Sequence, residues 1–222
     1  AKIIEPTSSP RTIDDFFDEV SFKVGRGSMD DARSTYLMAE KFANTQSVPI
    51  TDKRLRWMAG MIVYGYLQNA KMNASVGYIN QAINVYESAN DFLFHHFKNR
   101  NITELIDTSY IILDGFFDKI RISKLAEDMG GAKEFYLRAD KFIYSQTDPI
   151  IKKKMLEMKY AILDGYSDII QKNMAKGDTD EANRLFCTAK NFVADDQDKS
   201  ALLRLENMET MLPDSKSVLS GL

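Results

Sequence analysis

The sequence predicts an all-α protein built as an α-solenoid, in which paired helices stack side by side. The first observation is a motif of alanines and aromatic residues that occurs four times at a constant spacing of 50 residues. The second is a set of apolar columns, at the same period, in the segment after each motif. Such a period is typical of arrays in which each unit buries the apolar face of the next. We expect four helical hairpins plus an N-terminal half-unit helix, about nine helices in all.

The repeated motif predicts the first helix of each hairpin, which we call helix A. Its steps of four, three and three residues keep all its members on one helical face. The four copies are Ala32-Tyr36-Ala39-Phe42, Ala82-Tyr86-Ala89-Phe92, Ala132-Tyr136-Ala139-Phe142 and Ala182-Phe186-Ala189-Phe192. Because alanine is small, it lets a neighbouring helix approach, and the large ring fills the space beside it.

The second helix of each hairpin, helix B, carries three apolar columns at steps of seven and four, which again form one stripe. The columns are Leu55, Leu105, Met155 and Leu205; Ile62, Ile112, Ile162 and Leu212; and Tyr66, Phe116 and Tyr166. Gly65, Gly115 and Gly165 occur in the middle of helix B. A glycine destabilises a helix interior by about 1 kcal/mol relative to alanine. We therefore expect a close contact with the neighbouring helix at these positions.

The repeat also predicts the organisation of the chain. The units span about 27–76, 77–126, 127–176 and 177–212. The segment 12–24 matches the last part of a helix B and is the half unit, so that 12–212 forms a single helical-repeat domain. Residues 1–11 are predicted to be an extended N-terminal arm, and 213–222 a C-terminal tail after the helix-ending Pro213.

Helix A resembles the second helix of a tetratricopeptide repeat. Ala32, Tyr36 and Ala39, and their counterparts in the other copies, fit that family's pattern of Ala, three residues, an aromatic, two residues and Ala. The period of 50 residues is atypical of a family whose unit has about 34. The resemblance implies a right-handed stack of helical hairpins that binds peptides or protein surfaces.

Composition and charge narrow the possible partners and compartments. A net charge of −3 offers no basic footprint for nucleic acid, and no apolar run is long enough for a membrane span. The single Cys187 excludes an internal disulfide, favours a reducing compartment and is predicted to pack as a small hydrophobic residue. We expect a soluble protein of the cytoplasm or an organelle interior, because the chain starts at Ala1, after removal of either the initiator Met or a longer targeting segment.

The sequence contains no recognisable catalytic set. His95 and His96 are adjacent, point about 100° apart on a helix and cannot easily share a metal. Both align with polar columns, which predicts solvated side chains. No phosphate-binding loop or metal motif is present. We therefore expect a non-enzymatic protein with no cofactor and no metal.

Aspartates recur four residues apart on helix B, in three copies. The pairs are Asp14 and Asp18, Asp114 and Asp118, and Asp164 and Asp168. Each pair faces one side of its helix, where like charges are mildly destabilising. One interpretation is an acidic row that contacts a basic partner or a divalent ion. The other is a solvated outer face that nearby Lys and Arg neutralise.

Departures from the repeat are the strongest guide to a binding surface. Trp57 aligns with Asp107, Glu157 and Asn207; Tyr64 aligns with Asp114 and Asp164; and Gln68 aligns with Asp118 and Asp168. Exposed aromatic residues of this kind are favoured at protein interfaces. The predicted partner-binding residues are therefore Trp57, Tyr64, Gln68, Asp114, Asp118, Asp164 and Asp168. The alternative is that the arm, Ile3 to Pro10, folds back over the two aromatic side chains.

The leading functional hypothesis is a non-enzymatic scaffold or linker subunit that mediates protein–protein contacts within a larger assembly. The alternative is a free peptide-binding adaptor of tetratricopeptide type. Less favoured are a helical repeat that binds RNA, which the acidic pI of about 5.5 opposes, and an enzyme with a metal or carboxylate site.

Overall fold

A computed structural model describes most of the chain. The described residues are 12–46, 53–97, 102–144, 146–194 and 197–212. The predicted arm, 1–11, and the predicted tail, 213–222, lie outside them.

Within these ranges the protein contains nine α-helices and no strand, which confirms the all-α prediction and the expected number of helices. The helices are α1 Ile13–Gly25, α2 Met29–Thr45, α3 Lys53–Ser75, α4 Ile79–His96, α5 Ile102–Leu125, α6 Met129–Ile143, α7 Pro149–Lys176, α8 Thr179–Phe192 and α9 Lys199–Glu209. The even-numbered helices are the four predicted A helices, and the odd-numbered helices from α3 onwards are the B helices.

The chain divides into two compact units, Ala1–Ile112 and Leu113–Leu222, with the boundary inside α5. In the first unit, α3 packs against α1, α2 and α4, and α1 also packs against α2. In the second unit, α7 packs against α6, α8 and α9, and α8 also packs against α9. A long B helix is therefore the central element of each unit.

Aspartates at the period of the repeat begin several helices. Asp128 and Asp178 cap the A helices α6 and α8, and Asp148 and Asp198 cap the B helices α7 and α9. Each carboxylate accepts a hydrogen bond from a backbone N–H of the first turn, a contact that typically stabilises a helix by about 1 kcal/mol. The helix starts are thus encoded locally.

The turns between helix B and the next helix A need a left-handed residue. Gly27, Gly77 and Gly177 adopt φ of 75°, 83° and 80°, which glycine tolerates because it has no Cβ. Glu127 takes the same place in the third copy, with φ of 58°. The turn geometry therefore persists where the glycine does not.

The alanines of helix A lie at equivalent places in the core. All eight are fully buried: Ala32, Ala39, Ala82, Ala89, Ala132, Ala139, Ala182 and Ala189. Beside them, the Tyr36 and Phe92 rings meet edge to face with centroids 5.3 Å apart in the first unit. Tyr136 and Phe192 do the same at 5.3 Å in the second. Each unit therefore brings one helix A against the helix A of the next copy in the same way.

Two of the three repeated glycines of helix B, Gly65 and Gly165, make room for a methionine of helix A. A Cβ added to Gly65 would collide with Met29 Sδ, and one added to Gly165 would lie 2.8 Å from Met129 Sδ. Both methionines are buried at the start of their helices. The expected close helix–helix contact is thus present in both units, and it explains why glycine is kept inside these helices.

Candidate functional site

A stripe on α3 carries the predicted aromatic residues on the surface. Trp57, Gly60, Tyr64 and Gln68 follow steps of three, four and four, so they share one face of the helix. Trp57 is 68% exposed and Tyr64 is 55% exposed, and both Gly60 and Gln68 are exposed. We call these four residues the α3 stripe. More than half of the surface of each ring is therefore free, on a helix that packs against three others.

The opposite side of α3 holds the stripe in place. Leu55, Met58, Ile62 and Tyr66 are buried against the neighbouring helices. The Tyr66 hydroxyl donates a hydrogen bond of 2.9 Å to Asp30 Oδ1 on α2. Burial first, and then this carboxylate, raises the pKa of Tyr66 to about 12. The helix therefore cannot rotate about its axis without exposing its apolar side, and the stripe stays outward.

An ion pair that joins successive B helices recurs along the chain. An aspartate of one B helix pairs with a basic residue in the first turns of the next, 40 residues later. The pairs are Asp14 with Arg54, Asp114 with Lys154, and Asp164 with Arg204. In the last of them Arg204 Nε lies 2.8 Å from Asp164 Oδ1. The sequence columns explain the recurrence, because in these three places the acidic and the basic residue occupy the same columns of the 50-residue repeat.

The α3 stripe breaks this pairing. Tyr64 replaces the aspartate, and Glu104 in the first turn of α5 replaces the basic residue. Glu104 is half-buried, and no cation of the described residues pairs with its carboxylate. The same register thus carries an aromatic ring and an acid where the other copies carry an acid and a base.

A cavity of about 310 Å³ opens at this register. Its described lining comprises Gly60, Val63, Tyr64, Leu67, Leu93, Phe97 and Glu104, from α3, the end of α4 and the start of α5. The walls are mainly apolar, and Glu104 supplies the carboxylate. A Cβ added to Gly60 would meet no atom within 4 Å. The space beside Gly60 is therefore open, and we call it the Gly60 cavity.

The equivalent position in the second unit is filled by a ring. Tyr160 occupies the column of Gly60, and its hydroxyl donates a 2.7 Å hydrogen bond to Asp198 Oδ1, which raises the pKa of Tyr160. The Arg204 guanidinium lies over this ring, with Cζ 4.3 Å from the centroid, while it pairs with Asp164. A carboxylate and an aromatic ring thus hold one cation from the same chain.

A second depression lies beside Trp57. It has a volume of about 630 Å³ and is lined by Asp14, Phe17, Asp18, Lys53, Arg54 and Trp57. It is wide, and its rim carries both acidic and basic residues. Trp57 therefore presents an apolar surface between charges of both signs.

The structure places the predicted site residues in two groups. Trp57, Tyr64 and Gln68 lie together on α3 in the first unit, whereas the four predicted aspartates lie on α5 and α7 in the second. The aspartates are close to basic residues of the chain: besides the pairs given above, Asp118 lies 3.7 Å from Arg121 and Asp168 lies 3.0 Å from Lys124. Their charges are thus compensated within the chain, whereas no cation among the described residues pairs with Glu104.

The histidines differ in their surroundings. His95 is exposed, and its Nδ1 lies 2.8 Å from the Asp91 carbonyl oxygen. The prediction of a solvated side chain is wrong for His96, which is 13% exposed and lies against the rings of Tyr36 and Phe92. Its Nδ1 lies 3.1 Å from Glu40 Oε1. The sequence did not reveal this because Glu40 is 56 residues away.

Two further observations concern reactive or metal-binding groups. The prediction that Cys187 packs as a small hydrophobic residue is wrong, because the cysteine lies on the outer side of α8 and is exposed. In the described part of the chain, no cluster of three His, Cys, Asp or Glu side chains is close enough to hold a metal ion.

Sequence reasoning missed Gly60, Glu104 and Phe97 as parts of the site. The columns contained a signal for all three: Gly60 aligns with Tyr110 and Tyr160, Glu104 aligns with three basic residues, and Phe97 aligns with Ser47, Thr147 and Gln197. Phe97 lies just after α4 and breaks a polar column as Trp57 and Tyr64 do, but only the structure shows that it lines the same cavity.

Comparison with known proteins does not assign this chain to a family. No protein-family model matches this sequence, and neither the curated proteins nor the solved structures yield a match. Among the described helices, none has the length and apolar character needed to cross a membrane.

Proposed function

We propose that this chain is a non-enzymatic helical-repeat scaffold or linker subunit that mediates protein–protein contacts within a larger assembly. The α3 stripe is its principal contact surface, and Trp57 and Tyr64 are the central aromatic contacts. The single observation that carries the proposal is the exposure of both rings at positions where the sister copies have acidic or polar side chains.

Physical chemistry supports this reading of the stripe. Trp and Tyr are enriched among the residues that contribute most to binding, since each provides a large rigid surface and a polar group. Burying apolar area contributes about 25 cal/mol of free energy per Å². In the isolated chain the exposed parts of these two rings do not make this contribution. A partner that covers them gains that free energy.

We also propose that the helix pairs form a right-handed α-solenoid, which is the arrangement that the tetratricopeptide resemblance implies. The equivalent ring contacts of Tyr36 with Phe92 and of Tyr136 with Phe192 support it. So does the repeated ion pair between successive B helices. A solenoid suits a scaffold because it offers a long surface for its mass.

The proposal is tested by giving α3 the residues of its sister copies. In the variants Trp57→Asp and Tyr64→Asp, the new side chains match Asp107 and Asp114. The tagged chain is recovered from its source cells, and the associated proteins are measured by size-exclusion chromatography and mass spectrometry. Each variant is expected to lose its partners at least tenfold, while the helical circular dichroism stays unchanged.

Phe22 provides the matched control. It lies on α1 of the same unit and is 63% exposed, close to the exposure of Trp57. Phe22→Asp is expected to keep the assembly intact. Equal losses for Phe22→Asp and Trp57→Asp, or no loss for either α3 variant, would contradict a contact centred on the stripe. A further variant that lacks residues 1–11 tests the alternative that the arm folds back over the side chains of Trp57 and Tyr64.

A free peptide-binding adaptor is the second candidate, and the Gly60 cavity is the observation that favours it. A cavity of about 310 Å³ lies at the lower end of the usual range for ligand sites, which is about 300–1,000 Å³. Micromolar binding of an isolated peptide to the purified chain would favour the adaptor over a subunit held by a broad interface.

A further inference from the structure

We propose that the Gly60 cavity binds an arginine or lysine side chain supplied by the partner protein. The inference deepens the proposed function and rests on it, because it names the chemistry of the group that the partner inserts beside the α3 stripe. The aliphatic part of that side chain lies against the apolar walls, and its cationic end meets the Glu104 carboxylate and the Tyr64 ring.

The arrangement of the lining supports a long cationic side chain. Val63, Leu67 and Leu93 are buried residues that provide an apolar wall, as the methylene stem of Arg or Lys requires. Glu104 is half-buried at the same cavity. A carboxylate in such surroundings attracts a cation more strongly than one in bulk water does, because screening is weaker there. A neutral apolar occupant would leave this carboxylate desolvated and unpaired.

The second unit contains an internal precedent for this recognition. There a carboxylate, Asp164, and an aromatic ring, Tyr160, together hold the Arg204 guanidinium. The Gly60 cavity also has one carboxylate and one ring, Glu104 and Tyr64, although α3 now supplies the ring and α5 the acid. The cation is the member of the set that the described residues do not provide.

The columns explain how this difference arises. The positions of Arg54, Lys154 and Arg204 align with Glu104, so the charge is reversed only in this copy. The column of Tyr110 and Tyr160 becomes Gly60, which removes the ring that would fill the space. Both changes are needed for a foreign cation, because the first removes the chain's own cation from that position and the second makes room for its replacement.

The experiment is a titration of the purified full-length chain, followed by NMR of its Val and Leu methyl groups. The probe is N-acetyl-arginine methylamide, and the control probe is N-acetyl-citrulline methylamide, which has nearly the same shape and no charge. Saturable shifts are expected at Val63, Leu67 and Leu93 with the arginine probe, in the millimolar range typical of one side chain. The citrulline probe is expected to bind about tenfold more weakly or not at all.

Two variants assign the binding to the cavity. Glu104→Gln removes the charge and keeps the shape, so it is expected to weaken the arginine probe about tenfold or more. Gly60→Tyr restores the residue of the sister copies and is expected to abolish the shifts by filling the space. Met72→Tyr adds the same ring at an exposed position of α3 outside the lining of the cavity, so it is the matched control and is expected to keep binding.

The remaining outcomes overturn the proposal. They are no shift with the arginine probe, equal binding of the citrulline probe, or unchanged binding to Glu104→Gln. Lys98 and Arg100 are cations of the chain itself that precede Glu104 in sequence. Binding that occurs only in the Lys98→Gln/Arg100→Gln variant would mean that the chain fills its own cavity. Since the titration needs no partner, its result is independent of the test with Trp57→Asp.

Discussion

The surroundings of Gly60 on α3 and of Tyr160 on α7 differ, although both residues belong to one column of the repeat. At Tyr160 the ring, Asp164 and Arg204 form a set of contacts within the chain. At Gly60 the ring is absent, the acid and the base are exchanged for Tyr64 and Glu104, and a cavity remains. The backbone is a long B helix in both places.

The difference indicates that the groups which stabilise one unit are those that the proposed recognition uses in the other. In the second unit a carboxylate, a ring and a cation stabilise the fold, and all three come from the same chain. At the Gly60 cavity the described residues supply the carboxylate and the ring without a cation, and the aromatic stripe beside them is exposed. This is the surface that we expect of the proposed subunit before its partner binds.

The largest expected effect follows from making the second unit like the first. Tyr160→Gly removes a partly buried ring, its contact with Arg204 and its hydrogen bond to Asp198, and it adds a helix glycine. We expect the free energy of unfolding to fall by about 2–4 kcal/mol. Urea unfolding followed by circular dichroism measures it. Tyr160→Phe keeps the ring and is expected to lose only about 1 kcal/mol, so equal losses would contradict the role of the ring.

The second effect concerns the glycine five residues further along α3. Gly65→Ala is expected to lower the free energy of unfolding by about 0.5–2 kcal/mol, because moving the buried Met29 side chain away from the new methyl group outweighs the roughly 0.5–1 kcal/mol that alanine gains over glycine in a helix. The same urea titration measures the loss. In a double-mutant cycle, Gly65→Ala should cost less in the Met29→Ala background than in the parent chain, since the smaller side chain removes the collision, and an equal cost would argue against this contact.

The opposite sign is expected at Gly60. A Cβ there meets no atom within 4 Å, and alanine is a better helix former than glycine. Gly60→Ala should therefore raise the free energy of unfolding by about 0.5–1 kcal/mol. A loss of stability in this variant would show that the space beside Gly60 is not open, and the comparison with Tyr160 would fail.

The architecture was predictable because it depends on local and periodic information. The fully buried Ala32 and its seven counterparts come from steps of four and three on one helix face. The Gly65 column correctly indicated a close helix–helix contact, although Met29 as its partner could not be read from the sequence. The aromatic half of the site was predicted from Trp57 and Tyr64 because both break a polar column.

The rest of the site depends on contacts between residues far apart in the chain. Asp164 and Arg204 are 40 residues apart in the sequence, and the residues around each of them do not indicate that the two form a pair. His96 was misjudged for the same reason, since Glu40 and Tyr36 come from another helix. Gly60 could have been noticed, because its column holds Tyr in two other copies, but its meaning as a cavity needs the positions of α4 and α5.

The last expected effect occurs only at alkaline pH and compares Tyr66 with Tyr166, which share a column. Burial and Asp30 raise the pKa of Tyr66 to about 12, whereas burial raises the pKa of Tyr166 and Arg184 opposes the shift. Since an unfolded tyrosine ionises near pH 10, the stability that neutral Tyr66 contributes is fully present below pH 10 and lost as the pH rises towards 12.

Absorbance at 295 nm, followed through an alkaline titration, measures this effect. Tyr66→Phe should lack an ionisation near pH 12 and should lose less stability than the parent chain between pH 10 and 12. Asp30→Asn should lower that pKa but leave it above the ordinary value, because burial is the larger cause. If Tyr66 ionised near pH 10, the ordinary value for tyrosine, this would contradict its buried position on the inner side of α3.

The most direct test of the central claim, that the α3 stripe is covered by a partner, is site-specific photo-crosslinking in the source cells. Benzoylphenylalanine is introduced at Trp57 and, for comparison, at Glu157, which lies in the same column of the second unit. We expect discrete crosslinked products with other proteins from position 57 and few or none from position 157. Products of equal yield from both positions, or none from position 57, would contradict it.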